Sequence, residues 1–194
     1  MREHIDTELE EAGPSEMRSN MKLVVLGATG GTGLEIVRQA IERGHSITAL
    51  VRSPDRLKPF RDRIAIEQGD LLNSAELEKV IQGHDAVLSG FGPRVPVSKT
   101  DVHLRQQFAG ALTSAMRHAG IRRLVVESVA FLFKNSILPP AYLLGRLFFS
   151  GTVADTSAME RVLEESELDW TIVRPPELTD KPYTGKYRAR GPPA

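Results

Sequence analysis

The sequence predicts an α/β fold, a doubly wound, mostly parallel sheet, on three observations. A short β-branched run breaks into glycines and then into a helix-spaced apolar pattern. A second strand follows at the remove of a β-α-β unit and ends in arginine. Beyond it, strands and helices keep alternating with no hairpin signal in the first half, which implies right-handed crossovers and parallel pairing.

Residues 1–20 carry six acidic and two basic residues, no aromatic, and the breaker pair Gly13-Pro14. They read as a disordered N-terminal extension without the apolar core of a signal peptide. Met21 is a natural start directly before the first strand, and 21–194 is expected to form a single domain. Hydrophobic residues make up 41% and charged residues 26%, with a formal net charge of zero. Such a chain has no strong field to draw it to nucleic acid or an acidic membrane surface. It has no cysteine, which excludes disulfides, thiol nucleophiles and cysteine metal sites and fits a reducing cytoplasm.

Lys22–Leu26 reads as a buried strand, and Leu34, Val37 and Ile41 fall three and four apart on a helix over 34–43. Between them run Gly27, Ala28, Thr29, Gly30, Gly31, Thr32 and Gly33. Strand, glycine turn and helix make a pyrophosphate site, because the first helical N–H groups are unpaired and the helix dipole adds positive charge. Gly27 serves the tight turn, Gly30 the approach of phosphate to backbone, and Gly33 the close packing of helix on sheet. The spacing is G-x-x-G-x-x-G rather than G-x-G-x-x-G, and a turn with no ligand is the competing reading. No Lys-Ser/Thr pair follows the last glycine, which disfavours a P-loop.

The second strand, 46–51, ends at Arg52, 19 positions after Gly33. An NAD-binding unit usually places Asp or Glu there on the ribose hydroxyls. A carboxylate would repel a 2′-phosphate, whereas a guanidinium pairs with it through two hydrogen bonds. The charge argument therefore favours NADP over NAD, with Ser53 and Arg56 as further donors; a solvated surface arginine is the alternative.

The remaining strands are expected at 64–67, 85–89, 122–127 and 171–173. The helices are expected at 75–82, capped by Ser74, at 101–119, stopped by Gly120, and at 156–165. In an open α/β sheet the ligand lies at the carboxyl ends of the strands. Those ends carry the glycine turn, Arg52, Asp70-Leu71, the run Gly90-Phe91-Gly92-Pro93, Ser128, and Arg174-Pro175-Pro176.

Taken together, G-A-T-G-G-T-G, Leu50-Val51-Arg52 and Gly69-Asp70 resemble the atypical short-chain dehydrogenase/reductases of the NmrA-like type. The later segments Glu127-Ser-Val-Ala-Phe-Leu-Phe133 and Thr171-Ile-Val-Arg-Pro-Pro-Glu-Leu-Thr-Asp-Lys-Pro-Tyr-Thr-Gly-Lys-Tyr narrow the resemblance to the biliverdin-IXβ reductase/flavin reductase branch. It covers Met21 to the end and implies an NAD(P)-binding Rossmann fold. It implies that Gly27, Thr29, Gly30, Gly31, Thr32 and Gly33 wrap the pyrophosphate, and that Arg52, helped by Ser53 and Arg56, holds the 2′-phosphate. Asp70 and Leu71 would flank the adenine, although Asp70 also suits a turn before Ser74. Gly90 and Phe91 would pass beneath the ribose and nicotinamide, and Pro175 and Pro176 would shape the wall beside it. Ser128 takes the position of the family's active-site serine; a local turn former is the other reading.

The departures bear on chemistry. Full short-chain dehydrogenases use a Tyr-x-x-x-Lys pair, the lysine lowering the phenol's pKa. Here the nearest imitation is Tyr142-Leu-Leu-Gly-Arg146, which reads as packed aromatic structure within 137–149, a stretch too short and too broken to span a membrane. Where the branch has histidines, this chain has Glu177 and Thr156. His4, His45, His84, His103 and His118 fall at no strand end and lack metal-site spacing, so no metal is expected. Residues 181–194 are basic and extended, and the family's last strand and helix are missing from the pattern.

Two readings follow. One is an NADPH-dependent reductase delivering hydride to a flavin such as FMN, a quinone or a similar flat conjugated small molecule, which can proceed without an acid–base machine because the cofactor carries the chemistry. The other is a non-catalytic NADP-binding redox sensor or regulator. A cytoplasmic location and no nucleic-acid or membrane partner are expected, and the oligomeric state is left open.

Overall fold

The structure, a computed structural model, describes residues 20–92, 103–129, 150–175 and 178. All but Leu178 lie in the compact unit Asn20–Pro176. The expectations for residues 1–19, Pro93, Tyr142 with the stretch 137–149, Pro176, Glu177 and residues 181–194 fall outside the described residues.

Six strands form one sheet: β1 (Lys22–Leu26), β2 (Ser46–Val51), β3 (Ala65–Gln68), β4 (Ala86–Ser89), β5 (Arg123–Glu127) and β6 (Asp169–Val173). Their order is β3-β2-β1-β4-β5-β6, and every pairing is parallel. The chain starts in the middle, winds outward through β2 and β3, then returns to the other side of β1. That places the switch point between β1 and β4, where a crevice opens at the strands' carboxyl ends.

The sheet is apolar on both faces because helices cover both. Successive strand residues alternate in direction. Val24 and Leu26 of β1 join a cluster with Leu77, Ile81, Phe108, Leu112, Met116, Met159 and Leu163. These come from α2 (Ser74–Ile81), α3 (Leu104–Ala119) and α4 (Ser150–Glu164). Leu23 and Val25 join the other cluster, with Val37 and Ala40 of α1 (Gly31–Glu42) and Leu57 of a 3₁₀ turn, Asp55–Phe60.

The helix ends show local causes. Asn73, not Ser74, caps α2: its side-chain oxygen accepts from the N–H groups of Ala75 and Glu76 at 3.0 and 3.4 Å. Ser74 is instead the first helical residue. Gly120 ends α3 in the left-handed region that a side chain disfavours, with φ of 72°. The N-terminus of α3 is closed from another element: the carboxylate of Asp155, on α4, accepts from the N–H groups of Arg105 and Gln106, both at 3.0 Å. Asp155 can do this because α4 begins at Ser150, six residues before the expected start at 156. Among the described residues no helix is long and apolar enough to cross a membrane.

Candidate functional site

The glycine turn between β1 and α1 is built by close approach of backbones. Gly27 has φ of 73°, and a Cβ on it would stand 2.7 Å from the Phe91 nitrogen and 2.8 Å from the Gly90 carbonyl carbon. No side chain fits there, so the β1 and β4 ends meet at the switch point. Gly33 is as tight against α1's own entry: its Cβ would stand 2.6 Å from the Gly27 carbonyl carbon and 2.7 Å from the Ala28 Cα, and closer still to the Gly27 oxygen. Gly33 therefore seats the helix on the turn and does not itself line the cleft. Gly31 differs, since a Cβ there would meet nothing within 4 Å.

That open space lies over the start of α1. Its N-cap is Gly30, which offers no capping side chain, and the first turn holds no acidic residue. The Gly30 N–H is spent on the Gly27 oxygen at 2.8 Å, and the Leu34 N–H on the Gly30 oxygen at 3.0 Å. Among the described residues, the N–H groups of Gly31, Thr32 and Gly33 find no acceptor. Three free donors and the dipole of a twelve-residue helix suit an anion.

A cleft of about 1180 Å³ runs from there along the strand ends. Its walls include Gly27, Thr29, Gly30, Gly31, Thr32, Arg52, Ser53, Arg56, Leu71, Gly90, Phe91 and Ser128. Twelve of the fifteen described residues expected to contact cofactor or substrate thus come together. A second hollow, of about 720 Å³, lies at the opposite end of the sheet around Met116, Ile121 and Leu168. It is remote from the glycine turn and from the strands' carboxyl ends.

Three of the expected residues stand off the wall: Gly33, Asp70 and Pro175. For Asp70 the turn reading holds, because its Oδ1 accepts from the Leu72 N–H at 3.0 Å, and Leu71 alone of the pair reaches the cleft. Pro175 follows β6 without forming the wall assigned to it.

At the β2 end, Arg52 has no ion-pair partner among the described residues, and Gln68 holds its carbonyl oxygen through a 3.1 Å hydrogen bond. Arg56 reaches back to donate to the Thr29 oxygen at 2.6 Å, tying the loop after β2 to the glycine turn. Ser53 is already engaged. Its hydroxyl donates to Asp55 at 3.0 Å, and Lys58 pairs with Asp55 at 2.8 Å. Lys58 foremost, then Ser53, hold the Asp55 carboxyl below its usual range. The acidic residue beside the arginines thus has its own counter-charge.

The β4 and β5 half of the cleft contains features that reading the sequence missed. Ser128 is 3% exposed, and its hydroxyl donates to Oε1 of Glu160, itself 4% exposed. Arg174 grips the same carboxylate twice, Nε to Oε1 and Nη2 to Oε2, each at 2.9 Å. A fork–fork pair of this kind fixes the orientation of a buried carboxylate. With its hydrogen committed to Glu160, Ser128 presents lone pairs to the cleft and acts there as an acceptor. Thr156, standing where a histidine is expected near the substrate, is fully buried and donates to the Thr152 oxygen at 2.7 Å.

Arg105 and Glu127 line this half as well. Burial pushes the Arg105 guanidinium below the ordinary arginine range, against the opposing pull of Asp155 and Glu127. Its Nη1 is buried with no hydrogen-bond partner. The only sequence signals were an arginine in the first turn of a helix and a glutamate at a strand end. None of His45, His84, His103 or His118 lines the cleft, and no metal-binding cluster occurs among the described residues.

Comparison with known proteins identifies the family and the fold. A family model described as NAD(P)H-binding matches residues 27–193. An uncharacterized chloroplastic protein of Arabidopsis thaliana is 33% identical over 174 residues, covering 84% of this chain and 61% of that protein. A 3-diazoavenalumate denitrifying reductase of Streptomyces is 30% identical over 186 residues, covering 88% of this chain and 60% of the reductase. The chain thus spans about three fifths of the length of these relatives. An anaerobillin reductase structure from Escherichia coli superposes with a TM-score of 0.69 at 20% identity, covering 85% of this chain and 77% of that one, a likeness of fold.

Proposed function

The chain belongs to the NAD(P)H-binding family, and from that premise we infer that it is an NADPH-dependent reductase transferring hydride to a flavin, quinone or similar flat conjugated acceptor. The observation that carries this reading is the cleft, with an anion site at the glycine turn, an arginine at the β2 end, and an acceptor-lined half at β4 and β5. Its volume, about 1180 Å³, lies above the usual range for one small ligand and suits a dinucleotide with a second ring stacked on it.

The residues present fit the cofactor. The unpaired N–H groups over the open space at Gly31 suit a pyrophosphate, and a Cβ-free Gly30 lets it approach. Arg52 and Arg56 are the donors for a 2′-phosphate, which favours NADPH over NADH. The bound cofactor supplies hydride from its nicotinamide ring, and the acceptor takes it up with a proton from water. Ser128 would contribute position: with its hydrogen held by Glu160, its oxygen could accept from the carboxamide of a bound nicotinamide. The Streptomyces relative's description as a reductase supports the same class of chemistry.

The sensor reading has one observation in its favour, which is that the Ser128 proton is already committed to Glu160. Titration with NADPH and NADH, followed by steady-state NADPH consumption with and without FMN, separates the two readings. Tighter binding of NADPH and FMN-dependent consumption are expected. Binding without turnover on FMN and a panel of quinones would favour the sensor.

A further inference from the structure

The corner of the cleft at the β2 end holds an acidic residue beside its two arginines. Asp55 lines the cleft together with Arg52, Ser53 and Arg56. A phosphate brought there meets a carboxylate as well as two guanidinium groups. Asp55 is not the ribose acceptor that an NAD site places at the end of its second strand. It lies three positions past Arg52, and both its oxygens are taken, Oδ1 by Lys58 at 2.8 Å and Oδ2 by the Ser53 hydroxyl at 3.0 Å. Ser53, expected as a phosphate donor, commits its hydrogen to Asp55 instead.

The turn that carries this carboxylate holds it at the corner. Asp55 opens the 3₁₀ turn Asp55–Phe60, with Pro54 at its N-cap and Pro59 inside it, and both prolines restrict the backbone. The Leu57 N–H donates to the Pro54 oxygen at 2.8 Å, and the Leu57 side chain is fully buried in the cluster it shares with Val37 and Ala40 of α1. Arg56 ties the same turn to the Thr29 oxygen at 2.6 Å. The charge is as well kept as the position, since Lys58 foremost, then Ser53, hold the carboxyl below its usual range. Lys58 is not among the cleft's walls, so it answers Asp55 from outside.

Building on the NADPH reading, we propose that Asp55 is a specificity-determining residue that limits the preference for a 2′-phosphate, and that Lys58 is a positioning residue that draws this carboxylate aside and offsets its charge. A 2′-phosphate feels Arg52 and Arg56 against Asp55, with Lys58 restoring the balance. A cofactor without that phosphate brings no charge to the corner and responds to neither residue. Without Lys58 the carboxylate keeps Ser53 alone and turns its full charge on the phosphate.

The test compares adenosine 2′,5′-bisphosphate with 5′-AMP by calorimetric titration of the full chain. The two differ only in the 2′-phosphate and carry no nicotinamide, so no turnover is needed. The wild type should favour the bisphosphate. Asp55→Asn keeps an acceptor for Ser53 and removes only the charge, and should raise that preference roughly two- to fivefold, the range for one exposed charge contact. Lys58→Met should lower it by a similar factor, and this loss should vanish in the Asp55→Asn background. Both side chains are exposed, so the variants should keep the fold, and 5′-AMP affinity should be the same in all of them. The differences should shrink at about 1 M salt, where the screening length falls to about 3 Å. A preference unchanged by Asp55→Asn would overturn the proposal and leave the NADPH reading standing. A Lys58→Met loss that persists beside Asp55→Asn would overturn the role given to Lys58 and make it a direct phosphate ligand. Equal binding of the two nucleotides by the wild type and by Asp55→Asn would refute the 2′-phosphate reading, and this proposal with it.

Discussion

Two glycines two residues apart should respond oppositely to the same substitution. At Gly33 an added Cβ would stand 2.6 Å from the Gly27 carbonyl carbon, where 3.4 Å is an ordinary contact, so backbone must part by at least about 0.8 Å there and further at the nearer Gly27 oxygen. The obstructing atoms are all backbone of the turn, and none can swing aside. Overpacking of this kind costs about 1–3 kcal/mol. For a chain of this size that lowers Tm by roughly 2–12 °C. At Gly31 a Cβ meets nothing within 4 Å, and alanine is the better helix former by up to about 1 kcal/mol. Gly31→Ala should therefore keep or raise Tm while obstructing the pyrophosphate's approach. Thermal unfolding without ligand, paired with calorimetric titration of NADPH, reads both effects. Gly33→Ala should lose stability and affinity together; Gly31→Ala should lose affinity alone. A Gly31→Ala protein that binds NADPH as tightly as wild type would refute the placement of phosphate over that helix start. An undiminished Tm for Gly33→Ala would refute the packing argument.

Three other outcomes are expected. Arg52→Asp should weaken NADPH by roughly ten- to hundredfold, the range for a charged hydrogen-bonding contact, and leave NADH nearly unchanged; equal losses in a side-by-side titration would remove the 2′-phosphate assignment. Ser128→Ala should weaken NADPH by about five- to tenfold, the worth of one neutral hydrogen bond, and slow turnover as the nicotinamide loses its fixed orientation, while the fold survives because Glu160 keeps its Arg174 partner; unaltered affinity and kcat would take Ser128 out of the site. Asp155→Ala should cost about 0.5–2 kcal/mol by urea denaturation, because two partly buried N–H groups at the start of α3 lose their acceptor, and Asp155→Asn, which keeps one acceptor, should cost less.

The strands were the most legible part of the chain. β1 and β2 have the bounds expected of them, because a parallel strand buried on both faces must be a continuous apolar or β-branched run. α4 was harder: Ser150, Gly151, Thr152 and Thr156 are weak helix formers, and tertiary packing of Val153, Met159 and Leu163 overrides them. The 3₁₀ turn after β2 has Pro54 at its N-cap and Pro59 inside it, so it carries no apolar helical period to read. In the site, the backbone devices were legible because glycine spacing encodes backbone geometry directly. Side-chain roles were not. Ser53 and Asp70 find partners within two residues, which a motif does not reveal. Glu160 meets Ser128 across 32 positions, and Asp155 meets Arg105 across 50, so only the folded sheet brings them together.

The central claim, that this cleft passes hydride from NADPH to a flat acceptor, is met most directly by an anaerobic single turnover. The protein loaded with one equivalent of NADPH is mixed with FMN, and both chromophores are followed in time. The account predicts that nicotinamide absorbance and oxidised-flavin absorbance fall together, one for one, at a rate well above that of the two reagents without protein. Loss of neither signal beyond the protein-free control, with NADPH bound throughout, would contradict it.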